Sequence, residues 1–406
     1  MLTDIPILFV LLGLIAYNIL AGADFGAGFW TLFAGGGQAS VPETRAHARH
    51  TMGPVWEANH VWLIFVLVVC WTAYPVAYAS IVSTLAVPLF IAAVGIILRG
   101  TSYALSGQLT GARVQQIDER VFALSSILTP FAFGTVAGAI ASGRVPVGNA
   151  AGDLMTSWLN PASIVIGLLA VANSSYLAAV YLAADAHRLG EQALVHDFRW
   201  RALGAGVATG GLAVASLGIM YMDARSIWTG LTSGWGLVML GASALAGITT
   251  LFLVWNNRFG PARMAAAAAV AAIVVGWGVA QQPTFLPGLT VSQAAADRTT
   301  LVAVIVAIAI GAIILLPSLA LLFRLFLHGR LDGGTAPPVV AVVARDRWNT
   351  EGRRRLLSYG AGACLFVGVG LMVATAPGPL YVVAIACMIG FALCTFLLAM
   401  NPTTDV

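Results

Sequence analysis

Lysine is absent from this 406-residue chain, and all 20 of its basic residues are arginine. Together with the abundance of alanine and glycine, this reads as a mark of the coding sequence's base composition, and no functional conclusion is drawn from it. Charge of either sign is scarce too, at 9% of residues, about a third of the share in an average soluble domain. So few charged side chains cannot cover a water-facing surface, which excludes a soluble globular protein. A hydrophobic content of 59% and a mean hydropathy of +0.90 place the chain in a bilayer. The apolar runs lack the period-two alternation of a transmembrane barrel. The four cysteines (Cys70, Cys364, Cys387, Cys394) show no C-x-x-C spacing, so neither a disulfide framework nor a zinc site is expected. They read as small apolar residues. No basic residue precedes the first apolar run, so that run is expected to be a retained span and not a signal peptide.

What is present is a series of long apolar runs. At about 20 residues per crossing, eleven spans are expected: 5–33, 58–78, 80–98, 121–141, 162–183, 202–222, 236–255, 264–281, 300–326, 357–376 and 379–400. The second and third form a tight hairpin around Pro75 to Ser80. The predicted fold is therefore all-α, a polytopic transmembrane helical bundle. The arginines orient it, because basic residues concentrate in cytoplasmic loops. With the N-terminus outside, seventeen arginines fall on cytoplasmic segments, and only Arg144, Arg225 and Arg298 fall outside. This predicts a multi-pass protein of the cell membrane, N-terminus out and C-terminus in, and explains a pI near 9.0 without nucleic acid. No fixed internal period appears, which argues against a transporter built from inverted repeats. Three parts are expected: a bundle over 1–327, a basic cytoplasmic linker over 328–356 and a further transmembrane hairpin over 357–406.

An ionisable residue inside a span is costly and therefore defaults to a functional reading. Asp24 lies late in the first span, within Ala21-Gly22-Ala23-Asp24-Phe25-Gly26-Ala27-Gly28. Glu57 lies at the expected start of the second, within Gly53-Pro54-Val55-Trp56-Glu57-Ala58-Asn59-His60-Val61-Trp62. The topology brings both acids to the cytoplasmic side, where Arg99 closes the third span. Glu57, Asn59, His60 and Arg99 then form one hydrogen-bonded cluster around the acids. Two readings stand: an interfacial cap with Glu57 in a first helical turn, or a proton-conducting cluster in which a desolvated carboxyl carries protons. His60 reads as a packing residue in preference to a haem ligand, because the other histidines fall in or beside loops and no metal site is expected. The tryptophans near span ends read as an aromatic belt. The small residues from Gly22 to Gly28 permit close helix contact. Asn160-Pro161 reads as a helix start, and Asn173, Ser174 and Ser175 as a polar face turned towards protein.

In combination these segments resemble subunit II of cytochrome bd quinol oxidase. The resemblance rests on Asp24-Phe25-Gly26-Ala27-Gly28, on the block from Gly53 to Ile64, on Leu98-Arg99-Gly100 and, more weakly, on Leu159-Asn160-Pro161. It implies a bundle of about nine helices over residues 1 to 327, paired with a subunit I that carries haems b and d and oxidises quinol. This chain would then bind no haem alone. It would support assembly and a cytoplasmic proton-uptake path, with a structural quinone as a further cofactor the family can hold. The family's proton-path role carries onto Glu57 and Asp24. Two departures stand out: acids that some members place near these motifs are replaced here by Ala21 and Ala104, and Val340 to Val406 has no counterpart. The extra hairpin is expected on the outside of the complex, where a small single-helix accessory subunit binds in relatives. The competing reading from composition alone is a stand-alone secondary transporter or proton channel.

Overall fold

The computed structural model describes residues 2–105, 112–327, 347–374 and 379–399. A short 3-10 turn leads into α1 (Ile5–Leu32), which is followed by α2 (Val41–Ala73), α3 (Pro75–Thr84), α4 (Ala86–Leu105), α5 (Ala112–Ala141) and α6 (Pro161–Leu189). Next come α7 (Gln192–Asp223), α8 (Arg225–Leu231), α9 (Gly234–Trp255) and α10 (Phe259–Gln281). A small antiparallel hairpin, β1 (Thr284–Leu286) with β2 (Leu289–Thr290), precedes α11 (Val291–Ala294) and α12 (Arg298–Leu327). The chain ends with α13 (Arg347–Ala374) and α14 (Pro379–Ala399). The all-α bundle expected from composition is the fold: a segment in hydrocarbon must satisfy its backbone internally, and the helix does so.

Eight of the described helices are long and apolar enough to cross a membrane. They coincide with the first expected span and with the third to ninth. The second run corresponds to the apolar half of α2, Ala58–Ala73. Its boundaries differ from expectation in two ways. Helix α2 begins at Val41, capped by Ser40, whose hydroxyl accepts from Glu43 N while Ser40 N donates to Glu43 Oε2. It also ends at Ala73, because Pro75 disfavours helical backbone before it, and a second break at Leu85 separates α3 from α4. The expected start of α6 is met: Asn160 Oδ1 accepts from Ser163 N at 2.9 Å ahead of Pro161.

The chain divides into two compact units, 1–316 and 317–406. In the first, α1 packs against α2, α5, α6 and α10. The main core gathers around α6, whose Leu177, Val180, Leu182 and Ala183 are fully buried. Many large apolar side chains point outward instead, such as Met222 at 85% and Trp235 at 73% exposure, as lipid-facing helices require. In the second unit α13 and α14 form a hairpin in which Gly368 lies against Met388 and Gly390 against Cys364. Residues 328–346 of the expected linker lie outside the described residues, and 347–356 belong to α13.

Candidate functional site

Helix α1 reaches its neighbours so closely because it presents glycine where they touch. A Cβ at Gly26 would collide with Ser174 O of α6, and one at Gly22 would come within 2.9 Å of Leu177 Cδ1. Trp30 ties the same pair by donating Nε1 to Ser175 O at 2.8 Å. The small-residue stretch and the polar face of α6 therefore meet, as their sequences suggest.

This packing seals Asp24 completely, at 0% exposure, opposite Arg99 of α4 at 1%. Arg99 donates Nε to Asp24 Oδ2 at 3.0 Å and Nη2 to Oδ1 at 2.6 Å, in the two-pronged geometry that favours guanidinium–carboxylate pairs. The same Nη2 also donates to Asp24 O at 2.6 Å. Asn59 Nδ2 of α2 donates to Oδ2 at 3.2 Å, and Tyr103 OH of α4 to Oδ1 at 2.9 Å. Each carboxylate oxygen thus accepts two hydrogen bonds. The remaining arm, Arg99 Nη1, bonds Ser126 Oγ of α5. That contact needs Gly28, since a Cβ there would overlap Ser126 Oγ and stand 2.7 Å from Nη1. The Arg99 guanidinium also lies 4.2 Å from the Phe122 ring centroid.

Three helices, α1, α2 and α4, therefore meet at one carboxylate, and α5 holds the far arm of its arginine. Burying a charge is tolerated when it is paired and its other lone pairs are satisfied, and both conditions hold. A proton can reach Asp24 only after one of four donors lets go. Arg99 does not close its helix as expected. Helix α4 runs on to Leu105, and this extra turn delivers Tyr103 to the site.

Asn59 is brought to Asp24, while His60 is not among its ligands. His60 Nδ1 faces Trp56 O at 2.8 Å. A carbonyl only accepts, so Nδ1 carries a proton, and Nε2 meets no partner among the described residues. The Trp56 ring lies 5.1 Å from that of His60 and 5.3 Å from that of Tyr103. The Glu57 side chain lies outside the described residues. Its backbone is in the middle of α2, sixteen positions after Val41. This corrects the expectation of a first-turn residue and removes helix-dipole capping as its explanation.

The sequence reading missed Tyr103 and Ser126. Tyr103 stands four residues after Arg99, the spacing of one helix face, and that spacing was the available signal. It also missed a second buried acid, Asp185 of α6, at 5% exposure. Asp185 accepts from Arg263 Nη2 of α10 at 2.6 Å, with Arg188 3.7 Å away. Beside it, His47 Nε2 donates to Leu182 O at 3.1 Å. A third clasp closes the loop between α1 and α2, where Asp197 accepts from Gln38 N and Ala39 N at 2.8 and 2.9 Å. Among the described residues no three His, Cys, Asp or Glu side chains gather as metal ligands would. His47 and His60 each spend a ring nitrogen on a carbonyl of this chain.

A bundle of long apolar helices closed around the buried Asp24–Arg99 pair defines a polytopic membrane protein. The chain belongs to the cytochrome bd terminal oxidase subunit II family, whose model matches residues 2–326. It is 27% identical over 135 residues to the cytochrome bd ubiquinol oxidase subunit 2 of Bacillus subtilis (strain 168). That alignment spans 33% of this chain and 39% of the relative's length. Its fold matches a chain of the bd oxidase from Geobacillus thermodenitrificans with a TM-score of 0.67 and 28% identity, covering 80% of this chain and 99% of that one. The family's name implies haems in the complex. Residues 327–406 fall outside the family match.

Proposed function

We propose that this chain is the non-haem subunit of a quinol:oxygen oxidoreductase in the cell membrane, inactive alone and paired with a subunit I that carries haems b and d. The complex oxidises quinol and reduces oxygen to water, taking protons from the cytoplasm. The supporting observation is the Asp24–Arg99 pair, buried to 0% and 1% and completed by Asn59 and Tyr103. A stand-alone transporter has no comparable support, and family membership favours the oxidase.

Within that function the two acids divide the work. Asp24, with both oxygens doubly engaged, acts as a fixed negative charge that holds α1, α2 and α4 together at the level of the proton path. Glu57, on α2 two positions before Asn59, is the proton carrier, and His60 with its bare Nε2 is a neighbouring acceptor. Tyr103 bonds the Asp24 carboxylate in the turn where Ala104 stands in place of an acid of some relatives. The N-terminus lies outside and the C-terminus inside. The α13–α14 hairpin belongs to the outside of the complex, where a small single-helix accessory subunit is a further partner, and a structural quinone is a further ligand.

The test uses the purified complex. Glu57→Gln lowers oxygen consumption with quinol while the haem spectrum is retained; wild-type turnover in that variant removes Glu57 from the path. Asp24→Asn lowers the yield of assembled, haem-containing complex more than it lowers turnover per haem. The opposite pattern would make Asp24 the carrier.

A further inference from the structure

At the end of the bundle that holds most arginines, Arg45, Arg49, Arg99, Arg188 and Arg263 each meet a carboxylate. Arg199, at the start of α7, meets none among the described residues. Its Nη2 donates to Trp255 O at the end of α9, at 2.7 Å. Its guanidinium carbon stands 5.8 Å from the Trp200 ring centroid and 5.6 Å from that of Trp255. The two indoles meet edge to face at 6.0 Å and are 51% and 56% exposed. A cation is thus held at the seam of α7 and α9 between two outward-facing indoles, residues that favour the membrane–water interface. Three residues beyond Trp255, the exposed Arg258 opens α10 and also has no acid partner among the described residues. No Asp or Glu occurs between Asp223 and Asp297, and Asp197, two residues before Arg199, is engaged by Gln38 N and Ala39 N.

Two arginines without an acid partner leave a place for an anion. A guanidinium has a planar fork that matches phosphate oxygens, and the adjoining leaflet supplies phosphate on lipid headgroups. The flanking indoles suit the glycerol and upper acyl region. We propose that Arg199, Trp200, Trp255 and Arg258 bind the phosphate headgroup of one anionic phospholipid.

The experiment is native mass spectrometry of the purified complex titrated with phosphatidylglycerol or with phosphatidylcholine, repeated in the presence of inorganic phosphate. The expected result is retention of phosphatidylglycerol over phosphatidylcholine. Arg199→Gln and Arg258→Gln each weaken it about fivefold, and the double variant about thirtyfold. Arg199→Lys, which keeps charge and loses the flat stacking surface, falls between. If Arg199→Gln does not assemble, Arg258→Gln on the exposed turn gives the same reading alone. Equal retention of the two lipids, or unchanged phosphatidylglycerol binding in the variants, overturns the proposal. Displacement by inorganic phosphate at equal concentration also overturns it, in favour of a free-anion site.

Discussion

Neutralising one member of the Asp24–Arg99 pair should damage the protein far more than neutralising both. Asp24→Asn leaves the Arg99 charge at 1% exposure with one acceptor where it had a two-pronged carboxylate, and it turns an amide N–H2 towards the donors of Asn59 or Tyr103. Arg99→Gln strands the carboxylate with two of its four side-chain donors. Removing one partner of a buried pair costs about 3–5 kcal/mol. The double variant Asp24→Asn/Arg99→Gln replaces the pair with two amides that can bond each other, and no buried charge remains. Its cost should be about 1 kcal/mol, so the two changes couple by well over ~2 kcal/mol. Large membrane complexes unfold irreversibly, and the appropriate measure is a rate: the half-life of the assembled complex at one elevated temperature. Each single variant should shorten it by up to about two to four decades, and the double by tenfold or less. If the double variant decays as fast as the product of the two single effects predicts, the pair is not a coupled clasp and the reasoning fails.

Close approach at Gly28 gives a second expectation: Gly28→Ala presses a methyl onto Ser126 and Arg99 Nη1 and should cut the yield of complex, whereas Gly204→Ala on α7, with nothing within 4 Å, should leave it unchanged. Equal yields would show that α1 and α5 have room to part. The loop before α6 should be acid-sensitive. The exposed Asp153 carboxyl is held below its ordinary range by hydrogen bonds, first from Thr156 N and then from Met155 N. A lowered folded value means the stabilisation is present above the ordinary aspartate pKa of about 3.9 and lost as pH falls through the folded value. Proteolysis of residues 150–158 by an acid-active protease should therefore rise as pH drops through that range, and Asp153→Ala should be cleaved at every pH tested. A wild-type cleavage rate that does not change with pH would sink this reading.

Much of the site was legible because charge is rare in this chain. An acid in an apolar run stands out, and the alternation of successive spans is expected to bring Asp24, Asn59 and Arg99 to one level, which the hydrogen bonds among them satisfy. Tyr103, Ser126 and Gly28 were harder to see, since tyrosine, serine and glycine are ordinary in membrane helices and acquire meaning only from what they face. Asp185 drew no notice because it falls just past 183, the expected end of its apolar run. Burial against α10 and the distance to Arg263 distinguish it from a solvated end residue.

By itself the sequence determined the environment, the helical class and most of the helix positions. Hydrophobic length and backbone satisfaction in lipid are properties of contiguous residues. It also marked Asn160 as a helix cap, a contact made within three positions. The tertiary structure decided what depends on residues far apart in the chain. It made Asp24 a four-donor hub, placed Glu57 in mid-helix by carrying α2 back to Val41, and laid Arg199 between indoles of two helices 55 positions apart in the chain. Those outcomes follow from which helix faces meet. Facing is set by glycine and serine contacts worth little singly, and they are decided only when the whole bundle packs.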